Sequence, residues 1–305
     1  MKKQLIFIMS LCFALGIQAQ SLFVGTYNVR YFNQEDTEDG NGWGNRCPVI
    51  CSMINFENPD IFGTQEAKSN QIYDLKKGLD GYDYIGIGRD DGKEEGEYSA
   101  IFYKKDKLQL LRSGNFWLNE NTTEPTLGWD AACVRICTWG KFKDKKTKLK
   151  FYYFNLHMDH VGVVARRESA KLVIRKIKEL AENKAAVILT GDFNVDQNDE
   201  TFCIFSQSGI LKDSYSAAKF RFAENGTFNS FDTDLKSNSR IDHVFVSPMF
   251  EVQRYGILTN GYWTPNGNAQ SLSGKDAPKE IEFKAYTHRA PSDHYPVLVK
   301  IEYKK

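Results

Sequence analysis

The sequence predicts an α/β fold in a single domain, and three observations carry that expectation. The run Ala186-Val187-Ile188-Leu189 is apolar without alternation and is soon closed by Gly191, as in a central strand covered on both faces. Segments with apolar residues at helical spacing, Arg46 to Asn58, Lys68 to Leu79 and Ala165 to Ala181, fall between strand-like segments. No Pro/Ser-rich linker, repeat or low-complexity stretch divides residues 21–305, a length that one large α/β domain accommodates.

Residues 1–20 are set apart from that fold. Lys2 and Lys3 precede the apolar run Leu5 to Gly16, and Gln18-Ala19-Gln20 supplies small and polar residues at a cleavage point. The segment reads as the signal peptide of an exported protein, periplasmic or extracellular. It is too short to span a bilayer, no later stretch is suited to it, and no stable membrane anchor is expected. Cys47, Cys51, Cys133, Cys137 and Cys203 remain beyond it, an odd number that leaves at least one unpaired. The two C-x-x-x-C spacings lack a nearby His or Cys pair to complete a zinc tetrahedron. The whole chain has 40 basic residues, Lys2 and Lys3 among them, against 39 acidic ones. A surface that grips long nucleic acid through its phosphates carries a basic surplus, so phosphate recognition here must be local.

In chain order, Ser21 to Phe32 alternates as a strand and brings Asn28 and Arg30 to one side. Asn28 offers an oxygen to a cation or an amide proton to a phosphate, and Arg30 a fork that suits phosphate oxygens; a solvated strand end is the alternative. Gln34 to Asn45 is acidic and Gly-rich and reads as a loop. After the helix that closes before Pro59, the strand Asp60 to Thr64 ends in Gln65-Glu66, whose carboxylate suits a site or the start of the next helix. Tyr82 to Gly88 and Tyr98 to Tyr103 read as strands joined by the solvated loop Asp90 to Glu97. Asn115 to Leu118 precedes a strand Ala131 to Trp139 with Cys133, Arg135 and Cys137 on one face; Arg135 reads as a phosphate clamp or a structural ion pair. Lys141 to Lys150 holds six lysines and reads as a solvated hairpin turn. The strand Leu149 to Met158 sets His157 on the face of Tyr153 and Asn155.

Beyond Gly191, Asp192 and Asn194 point the same way from the tip of a buried strand. An ionised Asp there must be paired, hydrogen-bonded or holding a cation, unless the segment is only an Asx turn. Thr201 to Ser208 reads as a short helix, and Arg240 to Val246 as a strand in which Asp242 shares its face with Val244 and Val246 and needs a partner. The loop-like stretch Thr259 to Ala290 delivers Ser292-Asp293-His294 just before the final strand, Tyr295 to Tyr303. All five histidines, 157, 160, 243, 288 and 294, fall in strand-end segments, where α/β folds collect ligands.

Asn28-Val29-Arg30, Gln65-Glu66, Asn155-Leu156-His157, Gly191-Asp192-Phe193-Asn194, Ile241-Asp242-His243 and Ser292-Asp293-His294, in that order, resemble the endonuclease/exonuclease/phosphatase superfamily, which includes deoxyribonuclease I. The resemblance covers nearly all of residues 21–305. It implies a four-layer α/β/β/α sandwich with two mixed β-sheets and a metal-dependent phosphodiesterase or phosphatase. By the same resemblance Glu66 binds the metal, with Asn28 assisting and Asp293 near it. Asp192 and Asn194 position the attacking water, His294 is the general acid/base, Asp242 orients it, and His157 faces the scissile phosphate. Arg30 stands where abasic-site endonucleases carry an aspartate, which favours a deoxyribonuclease I-like member.

These roles agree with the chemistry. Mg²⁺, with Mn²⁺ as a substitute, prefers oxygen ligands and needs only one or two carboxylates, while Arg30 and Arg135 are candidates to stabilise the remaining phosphate charge. The substrate class is less determined, because one fold and core serve many reactions. The loops carry Trp43, Trp117, Trp129, Trp263, Phe228 and Phe231, aromatics that stack on bases, face a sugar or lipid headgroup, or pack. The expectation is a nuclease-type phosphodiesterase acting on a phosphodiester substrate, with phospholipid or sugar-phosphate hydrolysis as the alternative. A catalytically inactive exported binding module is the alternative of another class. No protein partner is inferred.

Overall fold

The computed structural model describes residues 21–182, 184–267, 271–272, 278, 280–281 and 283–304. The signal-peptide reading of residues 1–20 lies outside them. In chain order the elements are β1 (Ser21–Asn28), α1 (Gln34–Glu38), α2 (Trp43–Glu57), β2 (Ile61–Gln65), α3 (Ser69–Gly78), β3 (Tyr82–Ile85), β4 (Ile101–Lys104), β5 (Leu108–Trp117), β6 (Ile136–Asp144), β7 (Lys150–His157), α4 (Val163–Leu180) and β8 (Ala186–Asp192). They continue with α5 (Glu200–Ser206), β9 (Lys212–Asp213), α6 (Ser214–Ala217), β10 (Phe220–Phe222), β11 (Asp242–Val246), β12 (Phe250–Ile257), β13 (Tyr262–Pro265), β14 (Ser271–Leu272), β15 (Phe283–Lys284), β16 (Tyr286–Arg289) and β17 (Val297–Tyr303).

Two large mixed sheets result, ordered β10-β12-β17-β1-β2-β4-β3 and β5-β6-β7-β8-β11-β9. The β1–β2, β7–β8 and β10–β12 pairs are parallel. Three apolar layers tie the sheets and helices together. Val24, Ile61 and Ile101 of the first sheet meet Phe151, Tyr153, Ile188 and Val244 of the second. On its outer side the second sheet packs Tyr152, Phe154, Val187 and Leu189 against Val173 and Ile177 of α4 and Phe202 and Phe205 of α5. The first sheet packs Tyr27, Phe62 and Phe102 against Ile50 and Ile54 of α2 and Ile72 and Leu75 of α3. The four-layer sandwich is therefore the observed fold. It also explains the unbroken apolar run in β8: Ile188 fills the layer between the sheets, and Val187 and Leu189 the layer beneath the helices. Each such side chain contributes about 1.5–3 kcal/mol on burial.

One polar clamp crosses the inter-sheet layer. Asn155 Nδ2 donates to Thr64 O and Ala100 O, both at 2.9 Å, while its Oδ1 accepts from Gln65 Nε2 (2.7 Å) and Thr190 Oγ1 (3.0 Å). All four bonding positions of a fully buried carboxamide are filled, which is what its burial requires. Gly63 makes room for it, since a Cβ there would lie 2.1 Å from Asn155 Oδ1.

Several expected elements differ in detail. β1 stops at Asn28, and Arg30 reaches the same side through a left-handed turn (φ 57°) rather than strand alternation. Residues 34–45 are a loop only at 39–42: Asn33 caps α1 through Asp36 N, and α2 already starts at Trp43. The strand drawn over 131–139 begins only at Ile136, because Asp159 gathers the preceding turn by accepting from Ala132 N and Cys133 N, both at 3.1 Å. The lysine-rich turn is shorter, with β6 running to Asp144 and β7 starting at Lys150. Within 259–290, β13 and β16 pair antiparallel with the Trp263 ring tilted against that of His288 at 4.6 Å, and half of the stretch between lies outside the described residues. Among the described residues, no helix is long and apolar enough to cross a membrane.

Candidate active site

Strand register gathers the site. Asn28 pairs with Gln65, His157 with Asp192, and Asp242 with Asp192, so β1, β2, β7, β8 and β11 bring these residues to one edge of the sandwich. Directly after the strands, Arg30, Glu66 and Asn194 take left-handed conformations (φ 57°, 67° and 50°), which turn the chain sharply and leave their side chains at the rim. The cleft they border has a volume of about 490 Å³.

Asp242 and His294 form a dyad at its centre. Asp242 Oδ2 lies 2.8 Å from His294 Nδ1, and His294 Nε2 faces Asp192 Oδ2 at 3.7 Å. Burial lowers the affinity of His294 for its proton, but the Asp242 and Asp192 carboxylates outweigh that and hold it well above the ordinary histidine value. Asp192 accepts from Asn194 N at Oδ1 and from Asn28 Nδ2 at Oδ2, both at 2.9 Å. Burial, reinforced by Asp242, pushes its carboxyl up to about 7.

A second histidine stands across the cleft. Asn194 Nδ2 lies 3.1 Å from His157 Nε2 and donates to Met158 O at 2.9 Å. Burial, with Arg135 and Arg89 nearby, lowers His157 well below the ordinary value, so it is neutral. With Asn194 donating to Nε2, its proton sits on Nδ1. That atom has no hydrogen-bond partner and faces Glu97 Oε2 at 3.8 Å.

Of the expected metal residues, Asn28 and Glu66 meet directly, and Asp293 lines the same cleft. Asn28 Nδ2 donates to Glu66 Oε1 at 2.9 Å, Tyr31 N donates to Glu66 Oε2 at 3.1 Å, and Arg30 N donates to Asn28 Oδ1 at 3.0 Å. Asn28 thus turns its amide hydrogens, not its oxygen, toward the carboxylates. Ligand atoms of Glu66, His157 and Asp192 lie within 4.8 Å of one another. Burial and the nearby Glu66 raise the Asp293 carboxyl. Asp192 and Asp293, both pushed upward, line the same cleft as Glu66, and a hard, oxygen-seeking divalent cation fits carboxylates so placed.

The two candidate phosphate arginines are both paired. Arg30 Nε donates to Asp36 Oδ2 (2.9 Å), and its Nη1 lies 3.6 Å from Asp293 Oδ2. Arg135, only 5% exposed, lies 3.4 Å from Asp159 Oδ2 and donates from Nη2 to His160 Nδ1 at 3.0 Å, so the ion-pair reading describes it. Both still line the cleft. Cys133 gathers with Asp159 and His160, the nearby histidine that the zinc argument lacked, but the Asp159 oxygens are already taken by four backbone N–H groups and Arg135. Of the remaining histidines, His243 faces away, its Nε2 donating to Val195 O at 3.0 Å among Phe193, Phe202 and Phe245.

Comparison with known proteins places this geometry. A model of the Endonuclease/Exonuclease/phosphatase family matches residues 25–294. This chain belongs to the endonuclease/exonuclease/phosphatase family. A crystal structure of a family protein from Bacteroides thetaiotaomicron is 50% identical, with a TM-score of 0.87 over 94% of this chain and 99% of that one. The structure of a mannosyl-6-phosphatase from B. thetaiotaomicron VPI-5482 is also 50% identical, with a TM-score of 0.85 over 92% of this chain and 99% of that one. Human tyrosyl-DNA phosphodiesterase 2 is 25% identical over 267 residues, covering 88% of this chain and 66% of its own. The family is one of phosphoesterases, and its members generally use divalent metals.

Two residues of the site escaped the sequence analysis. In the sequence Glu97 reads as part of a solvated loop, yet its side chain is 16% exposed, accepts from Arg89 Nη1 at 2.5 Å, and is raised to about 7, chiefly by burial. Only the return of that loop against β7 reveals it. Arg46 is fully buried in α2 and donates to Asn41 O, Val29 O, Pro291 O and Arg30 O, tying together the segments that carry Arg30 and Asp293. Its signal was present, since Arg46 lies on the buried stripe Trp43, Ile50 and Ile54.

Proposed function

We propose that this protein is a divalent-metal-dependent hydrolase of sugar-phosphate monoesters of the hexose 6-phosphate class. The observation that carries hydrolysis is the Asp242–His294–Asp192 arrangement in a cleft bordered by Glu66, Asp293 and His157. Two further observations support a small monoester. The mannosyl-6-phosphatase is 50% identical over nearly its whole length. Arg30, Arg89 and Arg135, the arginines of the cleft, each face a carboxylate partner, which leaves no free basic track for a polynucleotide backbone.

Glu66 and Asp293, with Asn28 fixing Glu66 by a 2.9 Å hydrogen bond, would hold Mg²⁺ or Mn²⁺, which would supply positive charge to the phosphate oxygens. Asp192, poised near neutrality, orients the attacking water and takes its proton, with the Asn194 backbone fixing the carboxylate. His294, kept protonated by Asp242, donates to the phosphoryl group or its leaving oxygen. His157, neutral and held by Asn194, borders the phosphate position from across the cleft.

The second reading, a phosphodiesterase, is favoured by the resemblance to human tyrosyl-DNA phosphodiesterase 2. Phosphate release from mannose 6-phosphate, measured beside cleavage of bis-p-nitrophenyl phosphate with Mg²⁺ and with EDTA, separates them, with Asp192→Ala as control. Metal-dependent monoester turnover lost in the variant is the expected result. Diester turnover alone moves the protein to the second reading, and turnover of neither substrate returns it to the inactive binding module.

A further inference from the structure

The cleft has one apolar wall. Charged and polar side chains supply most of its lining, but Phe228 and Ile241 stand together on segments joined by Ile241 N donating to Thr227 Oγ1 at 2.9 Å. Phe228 is 44% exposed, and its ring meets the His294 imidazole edge-on, with centroids 5.1 Å apart at 70°. A short bridge between the Phe228 and His294 backbones fixes that relation, with Tyr295 N donating to Thr227 O at 2.6 Å. Of the six loop aromatics singled out in the sequence, Trp43 and Trp117 are buried, Trp129 packs against the apolar layer beneath α4, Phe231 lies over Arg46, and Trp263 lies tilted against His288. Phe228 alone among the six lines the cleft.

We propose that Phe228 is the platform for the sugar ring and sets the preference for hexose phosphates, an assignment that rests on the sugar-phosphate reading. The leaving oxygen must lie within hydrogen-bonding reach of a proton donor, and His294 is the donor that touches Phe228. Whatever is attached to that oxygen then falls on the exposed ring. A hexose suits the position: its C–H face covers an aromatic surface while its hydroxyls reach the polar wall opposite. An acyclic polyol phosphate carries the same charge but offers no such face.

The test is steady-state kinetics on mannose 6-phosphate and glycerol 3-phosphate with Mg²⁺, for the wild type, Phe228→Ala and Phe228→Tyr. The wild type prefers the hexose phosphate, and Phe228→Ala raises its KM about tenfold with kcat little changed. Phe228→Tyr, which keeps the ring, retains the wild-type KM. A preference indifferent to Phe228→Ala overturns the platform alone. So does a loss confined to kcat with a displaced pH profile, since that marks mere packing against His294. Turnover of neither monoester by the wild type overturns the sugar-phosphate reading, and the platform with it. Thermal melting of each variant separates all of these from misfolding.

Discussion

Asp242→Asn removes one charge and almost no volume, so it isolates what the carboxylate does for His294. Asp242 is fully buried, His294 is 4% exposed, and 2.8 Å separates Oδ2 from Nδ1. Unit charges that close attract by about 6 kcal/mol at an effective dielectric of ~20. Desolvation of both groups offsets part of this, leaving about 3–5 kcal/mol for holding and charging the imidazole. The expected outcome is a fall in kcat of about 10²–10⁴ on mannose 6-phosphate, with the melting temperature as a check on folding. The pH profile gives a second readout. In the wild type the two carboxylates keep His294 protonated across neutral pH; without Asp242 its ionisation drops toward the ordinary value, so the variant loses activity as pH rises from 6 to 8. A kcat within twofold of wild type and an unmoved alkaline limb would refute the assignment of Asp242 as the residue that positions His294.

Three further outcomes follow from the same structure. Glu66→Gln keeps the shape of a metal-facing side chain and removes its charge, so the Mg²⁺ needed for half-maximal activity rises by about 10–100-fold, and a metal titration of wild type that matched the variant's would exclude Glu66. Asn155→Ala strips the carboxamide clamp and leaves Thr64 O, Ala100 O and Gln65 Nε2 short of partners; it costs about 3–5 kcal/mol, or about 6–20 °C in Tm, and calorimetry showing a loss under about 1 kcal/mol contradicts the clamp. Burial lowers the pKa of His243, so the unfolded chain binds the extra proton first. The stability it contributes is complete above the ordinary histidine value near 6.5 and is lost as pH falls below it. Tm measured at pH 7.5 and 5.5 therefore falls more for wild type than for His243→Phe, and equal falls would remove His243 from that dependence.

Much of this architecture was legible because it is written in local pattern. The run 186–189 has no alternation because each face of β8 meets a different apolar layer, and the stripes of α2, α3 and α4 match the faces they bury. Asp242 declared its need for a partner by sitting between valines, and His294 is that partner. Other features depend on chain segments meeting. Glu97 is solvated in sequence context and buried only against His157 and Arg89. Asp159 reshapes residues 131–135 by accepting backbone protons from 26 and 27 residues away, which no period in the sequence records. Arg30 and Arg135 are forks suited to phosphate, and only the fold brings Asp36 and Asp159 to them first. The choice among aromatics was equally closed to the sequence, since Phe228 differs from the other five in where its segment bridges, not in composition.

The central claim is metal-assisted phosphoester hydrolysis in the cleft between His157 and His294. Its most direct measurement is phosphate release from mannose 6-phosphate by purified wild type and Asp192→Asn, each with Mg²⁺ and after EDTA. The account predicts turnover by wild type with metal, its loss with EDTA and recovery on adding Mg²⁺, and a fall of at least about 10² in kcat for Asp192→Asn whatever the metal concentration. Equal turnover by the two proteins, or turnover indifferent to EDTA, would contradict it.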